Sequence, residues 1–325
     1  MNFPFFLDKS TPTKLFQCPK CKHKSLKRYW NDNQKEYLPD IIGRCNRESN
    51  CGYHFTPKQY FEDKQIQYSP QNYCGVIEPI VVPEPTFIDR NLVDKSVSRN
   101  APNHFIAYLN ALFREEITIK LVEQFKIGTS IHWEGACVFW QIDNNEKVRT
   151  GKVMLYDAHS GKRIKKPFNH IHWVHSLAKF QDFHLKQCPF GLHQIRDDLE
   201  KTIGIVESEK TAILLTAIYP KITWLASGGM NLSLGSFEPL ESRKIMLYPD
   251  AGIDNGNGTP FEKWTDKAEN LALKGFDITV SNIIENVATP EQRTAGYDLA
   301  DYLIKTDSSG LALNENDYPF FWDST

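Results

Sequence analysis

Two groups of side chains have the types and spacing of working chemistry. The first is sulfur: Cys18-x-x-Cys21 in FQCPKCKHK, followed by Cys45 and Cys51. Paired thiolates on tight turns complete a tetrahedral shell around Zn²⁺, and Pro19 and Gly52 suit such turns. Cys45 and Cys51 are spaced more widely than the usual knuckle, so His54, which follows Cys51 closely, is the alternative fourth ligand; the expected set is the cysteines. The second group is acidic. Glu207 in IGIVESEK and Asp250 in IMLYPDAG each follow a short apolar run. Carboxylates that converge on one sheet edge can hold a divalent cation, and Mg²⁺ takes one or two of them plus waters and phosphate oxygens. Each taken singly could instead cap the next helix, where an N-terminal carboxylate is worth roughly 0.3–1 kcal/mol.

Bringing those acids together requires a parallel sheet. Residues 203–206, 222–225 and 245–248 have the length of buried strands, and 211–218 carries an apolar stripe at helical spacing. The simplest topology is β-α-β with a right-handed crossover, and open parallel sheets bind ligands beyond the carboxyl ends of their strands. A helix is expected over 261–273, closed by Gly275, then a strand over 276–283 and a short helix after Asp298 and Asp301. Upstream, helical spacing occurs over 104–113 and 117–125. Residues 128–180 read as strands: CVFWQID, a turn at Asn144 and Asn145, then two more strands around a turn at 157–161. This module is basic, with Lys147, Arg149, Lys152, Lys162, Arg163, Lys165 and Lys166. Residues 62–103 are polar and proline-rich and read as a linker carrying one strand over 76–82. His170, His172 and His175 have some of the spacing of metal ligands. No acid or cysteine sits beside them, so packing or phosphate contact is expected.

The chain has 325 residues and a formal net charge of −2, which excludes a uniformly basic coat and leaves nucleic-acid binding to local patches. One such patch runs Lys20, Lys22, Lys24, Lys27, Arg28 into Tyr29 and Trp30, the pairing of cations and rings that a phosphate backbone and unstacked bases need. Of seven cysteines, those outside the first cluster are the scattered Cys74, Cys137 and Cys188, which suits a reducing compartment and one metal cluster better than disulfides. No run approaches the about eighteen apolar residues of a membrane span, and the first residues lack a leader pattern, so a soluble cytoplasmic protein without membrane contact is expected.

The order of zinc ribbon, linker, basic strands and acid-edged sheet resembles the DnaG-type and phage-type primases, whose catalytic core ends in a Toprim domain. In that family the first strand ends in E-G-E-x-D and the third in D-x-D. VESEKT and PDAGID occupy those places, so Glu207, Glu209 and Asp250 match the family's acids. Ser208, Thr211 and Gly252 depart from the pattern, and Asp254 is a candidate for the missing charge. DLADYL is similar to the segment that follows Toprim domains in phage primase-helicases, which adds Asp298 and Asp301. Ser227, Gly228 and Gly229 fit the family's small-residue loop, while RTGKVMLYD, GKRIKK and CPFGLHQI resemble the approach to the Toprim domain. The resemblance covers most of residues 15–305 and looks nearest to Toprim-like zinc-ribbon proteins of bacterial mobile elements.

The resemblance implies an α+β fold in which residues 1–61 form a zinc β-ribbon, 62–103 a linker and 104–200 a mixed, strand-rich, primase-core-like module. Residues 201–325 would form an α/β Toprim-like domain with a central parallel sheet. It implies a metal-dependent nucleotidyltransferase acting on single-stranded DNA template in phage or mobile-element replication, with nucleotides and a replicative helicase as partners. Zn²⁺ would be structural at Cys18, Cys21, Cys45 and Cys51. Mg²⁺ or Mn²⁺ would sit among Glu207, Asp250, Asp254 and Asp298, with Glu207, Asp250 and Lys152 catalytic. Lys27, Arg28, Tyr29, Trp30, Arg149, Lys152, Lys165 and Lys210 would hold nucleic acid or nucleotide. The same fold also serves nucleases, and a degenerate site that only binds single strands is the third alternative, favoured by Thr211 and Gly252. A topoisomerase needs a nucleophilic tyrosine on a further domain, for which the chain is too short.

Overall fold

The computed structural model describes residues 4–10, 14–47, 51–64, 84–197, 199–229, 237–254, 256 and 258–306. The expected strand over 76–82 and Cys74 lie outside them. The chain divides into two compact units, residues 1–82 and 83–325.

The first unit is built on one long strand. In order it contains β1 (Phe5–Leu7), β2 (Phe16–Gln17), β3 (Lys24–Asn31), β4 (Glu36–Tyr37), β5 (Gly43–Cys45), β6 (His54–Phe55) and α1 (Pro57–Asp63). β3 pairs antiparallel with β1, β2, β4 and β5, and β6 pairs with β5. The apolar core is thin, with Leu26 and Ile42 its fully buried aliphatic members. Sulfur supplies what that core lacks. The turn at Cys18–Cys21 closes by Lys22 N–H donating to the Cys18 carbonyl at 2.9 Å, with Lys22 at φ 59°, and Gly52 at φ 61° turns the chain beside Cys51. The Cys18, Cys21, Cys45 and Cys51 sulfurs all lie within 4.8 Å of one another. The separations of 3.7 Å for Cys18–Cys51 and 3.9 Å for Cys21–Cys45 compare with about 3.8 Å for the edge of a tetrahedron with Zn–S near 2.3 Å. The four thiols therefore fit Zn²⁺. His54 is engaged elsewhere, its Nε2 at 3.0 Å from the Tyr29 hydroxyl, and is outside the sulfur group.

The second unit begins with α2 (Arg90–Val97), α3 (His104–Leu112) and α4 (Glu115–Phe125), then β7 (Gly128–Thr129), β8 (Cys137–Ile142), β9 (Val148–Met154), β10 (Ile171–Trp173) and α5 (Val174–Leu177). The helix α2 corrects the reading of 62–103 as a linker. Asp89 caps it, Val93 and Ser96 are buried, Ile88 N–H donates to the Val148 carbonyl, and the Trp140 indole donates to the Ser96 hydroxyl at 2.9 Å. So polar a helix leaves few apolar positions from which a period could be read. β7 to β10 form an antiparallel sheet in the order β10-β9-β8-β7. The turn at 157–161 forms as expected, with the Asp157 carboxylate accepting from Ser160 N–H at 2.8 Å and from its hydroxyl at 2.7 Å. The return segment is not the second strand of a hairpin. It makes one bridge, Tyr156 to Arg163, and pairing with β9 passes to residues 171–173. Consecutive exposed lysines and then Pro167, which has no N–H to give, explain why the ladder stops.

The remaining elements are β11 (Ile203–Val206), α6 (Glu209–Ile218), β12 (Thr223–Ala226), β13 (Ile245–Leu247), α7 (Pro260–Ala272), β14 (Ile278–Val280), α8 (Ile283–Val287), α9 (Pro290–Ala295) and α10 (Leu299–Thr306). All pairs in this sheet are parallel, in the order β12-β11-β13-β14. Alternation along the strands separates two cores. Val206, Trp224 and Ala226 pack with α6 on one side, and Ile203, Ile205, Leu225 and Leu247 pack with Trp264 and Leu271 of α7 on the other. The first of these cores also contains Phe105, Phe139 and Tyr156, so residues expected in separate modules share one interior.

Candidate active site

From β11 the chain runs one way through the sheet to β12; from β13 it runs the other way to β14. Adjacent parallel strands whose connections diverge leave a crevice beyond their carboxyl ends. Glu207 follows β11 and Asp250 closely follows β13, so the crevice opens between the two acids. It widens into a cavity of about 610 Å³. Glu207, Glu209, Asp250, Asp298 and Asp301 line it on the acidic side, and Lys152, Lys162, Arg163, Lys165 and Lys210 supply the opposing charge.

Hydrogen bonding sorts these acids by what they are free to do. Glu209 is 2% exposed and is held by the Lys152 ammonium, which donates to its two oxygens at 2.9 and 3.1 Å and to the Gly228 carbonyl at 3.3 Å. Asp298 accepts from the Thr211 hydroxyl and from the Asp301 N–H at 2.7 Å. Asp301 pairs with Lys210 at 3.3 Å. Glu207 Oε1 and Asp250 Oδ1 are buried without a hydrogen-bond partner. Those two atoms are the candidate ligands for a cation. A buried carboxylate oxygen left unpaired costs free energy that a divalent ion, water or a protein donor must offset. The carboxylates do not form a closed ligand cage, since among the described residues only the four cysteines have three or more ligand atoms within 4.8 Å. Mg²⁺ or Mn²⁺ fits such an open pair better than Zn²⁺ does, because a hard ion completes its shell with water and phosphate oxygens.

The electrostatics agree with that sorting. Burial, followed by the charge of Asp298, pushes the Glu207 carboxyl up to about 7 against the pull of the Asp250 backbone N–H. Asp250 is raised well above the usual carboxylate range by burial first and then by Glu207, Asp298 and Asp301. Burial and Asp301 raise Asp298, with Lys210 and Thr211 opposing. Burial would lower Lys210, but Asp298 and Asp301 outweigh it and its ammonium is held above its ordinary value. Burial is the first cause at all three carboxyls, and neighbouring acids add to it.

The other sequence-derived candidates fall in several places. Lys152, Lys165 and Lys210 line the cavity; Asp254 does not. The Asp254 carboxylate accepts from Gly256 and Gly258 N–H at 2.7 and 2.8 Å and so holds its own exposed loop, which corrects the expectation that it restores the missing charge. Arg149 pairs with Asp143 at 2.7 Å and lies 4.8 Å from the centre of the Phe87 ring. In the first unit the Arg28 guanidinium lies over Phe16 and Tyr37 and donates to the Leu38 carbonyl, while Trp30 packs edge-on against Tyr37. Lys27 and Tyr29 are half-buried on the same strand. His170 bonds to the Ile164 carbonyl at 3.0 Å and His175 to the Thr150 hydroxyl at 2.8 Å, and the histidines are not among the described metal-binding groups. The sequence reading missed Lys162 and Arg163 as cavity residues and the pairing of Lys152 with Glu209. The basic run was a signal for the first; nothing local signals the second.

Gly252 has a steric cause. A Cβ there would stand 2.6 Å from both Cδ and Cγ of Pro260, the first residue of α7. An aspartate in this position collides with the helix that follows. Gly252→Ala is expected to cost about 1–3 kcal/mol as overpacking does, and Pro260→Ala in the same chain to return part of it, read from urea midpoints. A second expectation concerns the buried ion pair. Glu209→Gln or Lys152→Met alone is expected to cost about 3–5 kcal/mol, and Lys152→Met with Glu209→Leu to cost much less. Equal losses for the single and double variants in the same unfolding experiment would show that the pair is not coupled.

Comparison with known proteins adds the following. Residues 3–66 match a family described as a zinc beta-ribbon finger, and residues 103–251 match a family described as a domain of unknown function (DUF6371). Taken with the sulfur geometry, the first match makes this segment a zinc ribbon. No curated protein matches the chain. Among solved structures, the zinc-binding and RNA polymerase domains of the Aquifex aeolicus primase are similar at 15% identity and TM-score 0.39, over 93% of this chain and 77% of that one. A DnaG catalytic core is similar at 13% identity and TM-score 0.44, over 66% of this chain and 74% of that one. A DnaG primase catalytic domain bound to ssDNA is similar at 12% identity and TM-score 0.43, over 67% and 73%. Among the described residues no helix is long and apolar enough to cross a membrane.

Proposed function

We propose that the chain is a primase-like nucleotidyltransferase with a Toprim-type site, joining nucleotides on a single-stranded DNA template in phage or mobile-element replication. The observation that carries this reading is the pair of unpartnered buried oxygens, Glu207 Oε1 and Asp250 Oδ1, on two residues that line a cavity together with Lys162, Arg163, Lys165 and Lys210. In the reaction a 3′-hydroxyl oxygen bonds to the α-phosphorus of a nucleoside triphosphate, the bond to the bridging oxygen breaks, and pyrophosphate leaves with the proton passing to water. Mg²⁺ or Mn²⁺ held by Glu207 and Asp250 would supply the charge that lets phosphate oxygens approach two carboxylates. On this reading Lys210, paired with Asp301, and the exposed Lys162, Arg163 and Lys165 of the cavity lining neutralise the triphosphate. Lys152 is already committed to Glu209, so its part is to fix the wall of the cavity. The zinc ribbon, with its exposed lysines, is the template-holding element of this reading.

A second reading, single-strand binding without catalysis, is favoured by the collision that keeps an acid out of position 252. The deciding assay is labelled-nucleotide incorporation on a single-stranded template with Mg²⁺ or Mn²⁺. Incorporation supports the proposal, and metal-dependent strand cutting assigns the site to a nuclease. Strand binding with neither reaction leaves the second reading.

A further inference from the structure

Three of the cavity cations, Lys162, Arg163 and Lys165, run on in sequence to Lys166 and to rings that do not line the cavity. Between Asp157 and Asp182 the chain contains no acid, while Lys162, Arg163, Lys165 and Lys166 stand exposed. Immediately beyond them is a cluster of rings. Phe168 stacks on His170 at 4.4 Å, and Trp133 meets His170 edge-on at 5.1 Å and Phe168 at 6.3 Å. His132 lies 4.4 Å from Trp133 and 5.4 Å from His172. Phe168 is 54% exposed and His132 is exposed as well, so ring surface faces solvent. That surface is open to a stacking partner.

The ring cluster is tied to the cavity rim. His170 bonds through its backbone N–H and its ring to the carbonyl of Ile164, the residue between the rim cations Arg163 and Lys165. From Lys165 the chain reaches Phe168 within at most ~11 Å, the fully extended length of that step. A run of cations that starts at the cavity rim is therefore followed along the chain by ring faces. A phosphate backbone with unstacked bases has the matching chemistry, because every base presents a π-face and every phosphate a negative charge. A protein partner would need acids set against Lys162 to Lys166 and apolar side chains against the rings. Glu134 follows Trp133, and residues 158–181 carry no acid.

We infer that this surface is a stacking track for single-stranded nucleic acid, in which Phe168 and Trp133 take bases while Lys165 and Lys166 take phosphates. It deepens the reading of the cavity as a site for template-directed synthesis and rests on that reading only for the direction in which the strand leads. The track is sequence-tolerant, since stacking uses faces rather than base edges.

The test is equilibrium binding of the full zinc-loaded chain to a homothymidine strand without added Mg²⁺, over a range of salt. Phe168→Ala and Trp133→Ala are each expected to weaken binding by about 5- to 100-fold with the salt slope unchanged, and Phe168→Tyr to restore it. Lys165→Ala and Lys166→Ala are expected each to reduce the slope by about 0.7. Phe168 is exposed, so its replacement should leave the unfolding midpoint in place, which separates lost stacking from lost fold. Full-strength binding by both ring variants would overturn the track. Incorporation assays on the same proteins keep the two ideas apart: binding that depends on the rings without any synthesis defeats only the proposed function. Synthesis with ring-independent binding defeats only the track.

Discussion

Glu207→Gln is expected to reduce metal-dependent nucleotide incorporation by about a hundred-fold or more and, in the same protein without divalent cation, to raise stability at neutral and higher pH. The first effect follows from removing a carboxylate that carries one of the two unpartnered buried oxygens, since a metal's charge is worth several kcal/mol in the transition state. The second follows from linkage. Burial holds the folded-state carboxyl at about 7, against an ordinary value of 4.5. The folded chain therefore binds this proton more tightly than the unfolded chain does. Below the ordinary value both states are protonated and Glu207 is neutral in its effect. Stability then falls as pH rises through the window up to about 7, and above it the full cost remains. The glutamine variant lacks that loss, so the two melting curves should coincide near pH 4 and separate progressively above it, by about 2–4 °C for each kcal/mol recovered in a unit of this size. Saturating Mg²⁺ should raise the melting point of the unaltered chain and leave the variant's unmoved. Identical pH profiles for the two proteins would refute this account of the site. Gain of stability with loss of function at one position is the usual mark of a site held in strain for its task.

Removing zinc should unfold the first unit and spare the second. Among its described residues Leu26 and Ile42 are the fully buried aliphatic side chains, and the two-residue strands β2 and β4 pair with β3, so little apolar burial opposes the entropy of unfolding. Structural zinc contributes an apparent ~10–16 kcal/mol in small modules at neutral pH. A chelator, or Cys45→Ser, is accordingly expected to abolish hydrogen-exchange protection along β3 and β5. The transition of the second unit should persist, because the apolar clusters among its described residues contain no ligand of the metal. Protection that survives in β3 after zinc is gone would show that the strands stand on their own contacts. His54→Ala offers a sharper control. Its ring sits against Tyr29 and not in the sulfur group, so zinc stoichiometry should be unchanged.

Local sequence carried the features whose cause is local. A continuous apolar run gave β11 its limits, and the spacing of Cys18, Cys21, Cys45 and Cys51 identified the ligands, because knuckle turns are short-range structures. Acids at strand ends marked the crevice, since parallel strands place their carboxyl ends on one edge. Other features depend on distant partners. Lys152 meets Glu209 across 57 residues of chain, and no spacing rule links them. Gly252 reads as a lost acid until Pro260 is seen against it. The strand expected over 276–283 ends at Val280 because Ile283 begins a helix, and a short apolar run has no period to tell the two apart. Asp254 lies near Asp250 in sequence, but its carboxylate is taken by its own loop.

The pairing of Lys152 with Glu209 also sets how far the site can be moved to another protein. The lysine belongs to the antiparallel sheet and the glutamate to the helix after β11, and the interior behind them mixes Phe105, Phe139 and Tyr156 with Val206, Ile213 and Trp224. A fragment cut at the start of the parallel sheet would keep the acids but lose part of that interior and leave Glu209 without its cation. The transferable piece is therefore the described second unit, residues 84–306, taken whole, and shuffling its two sheets among relatives would have to exchange the lysine and the glutamate together.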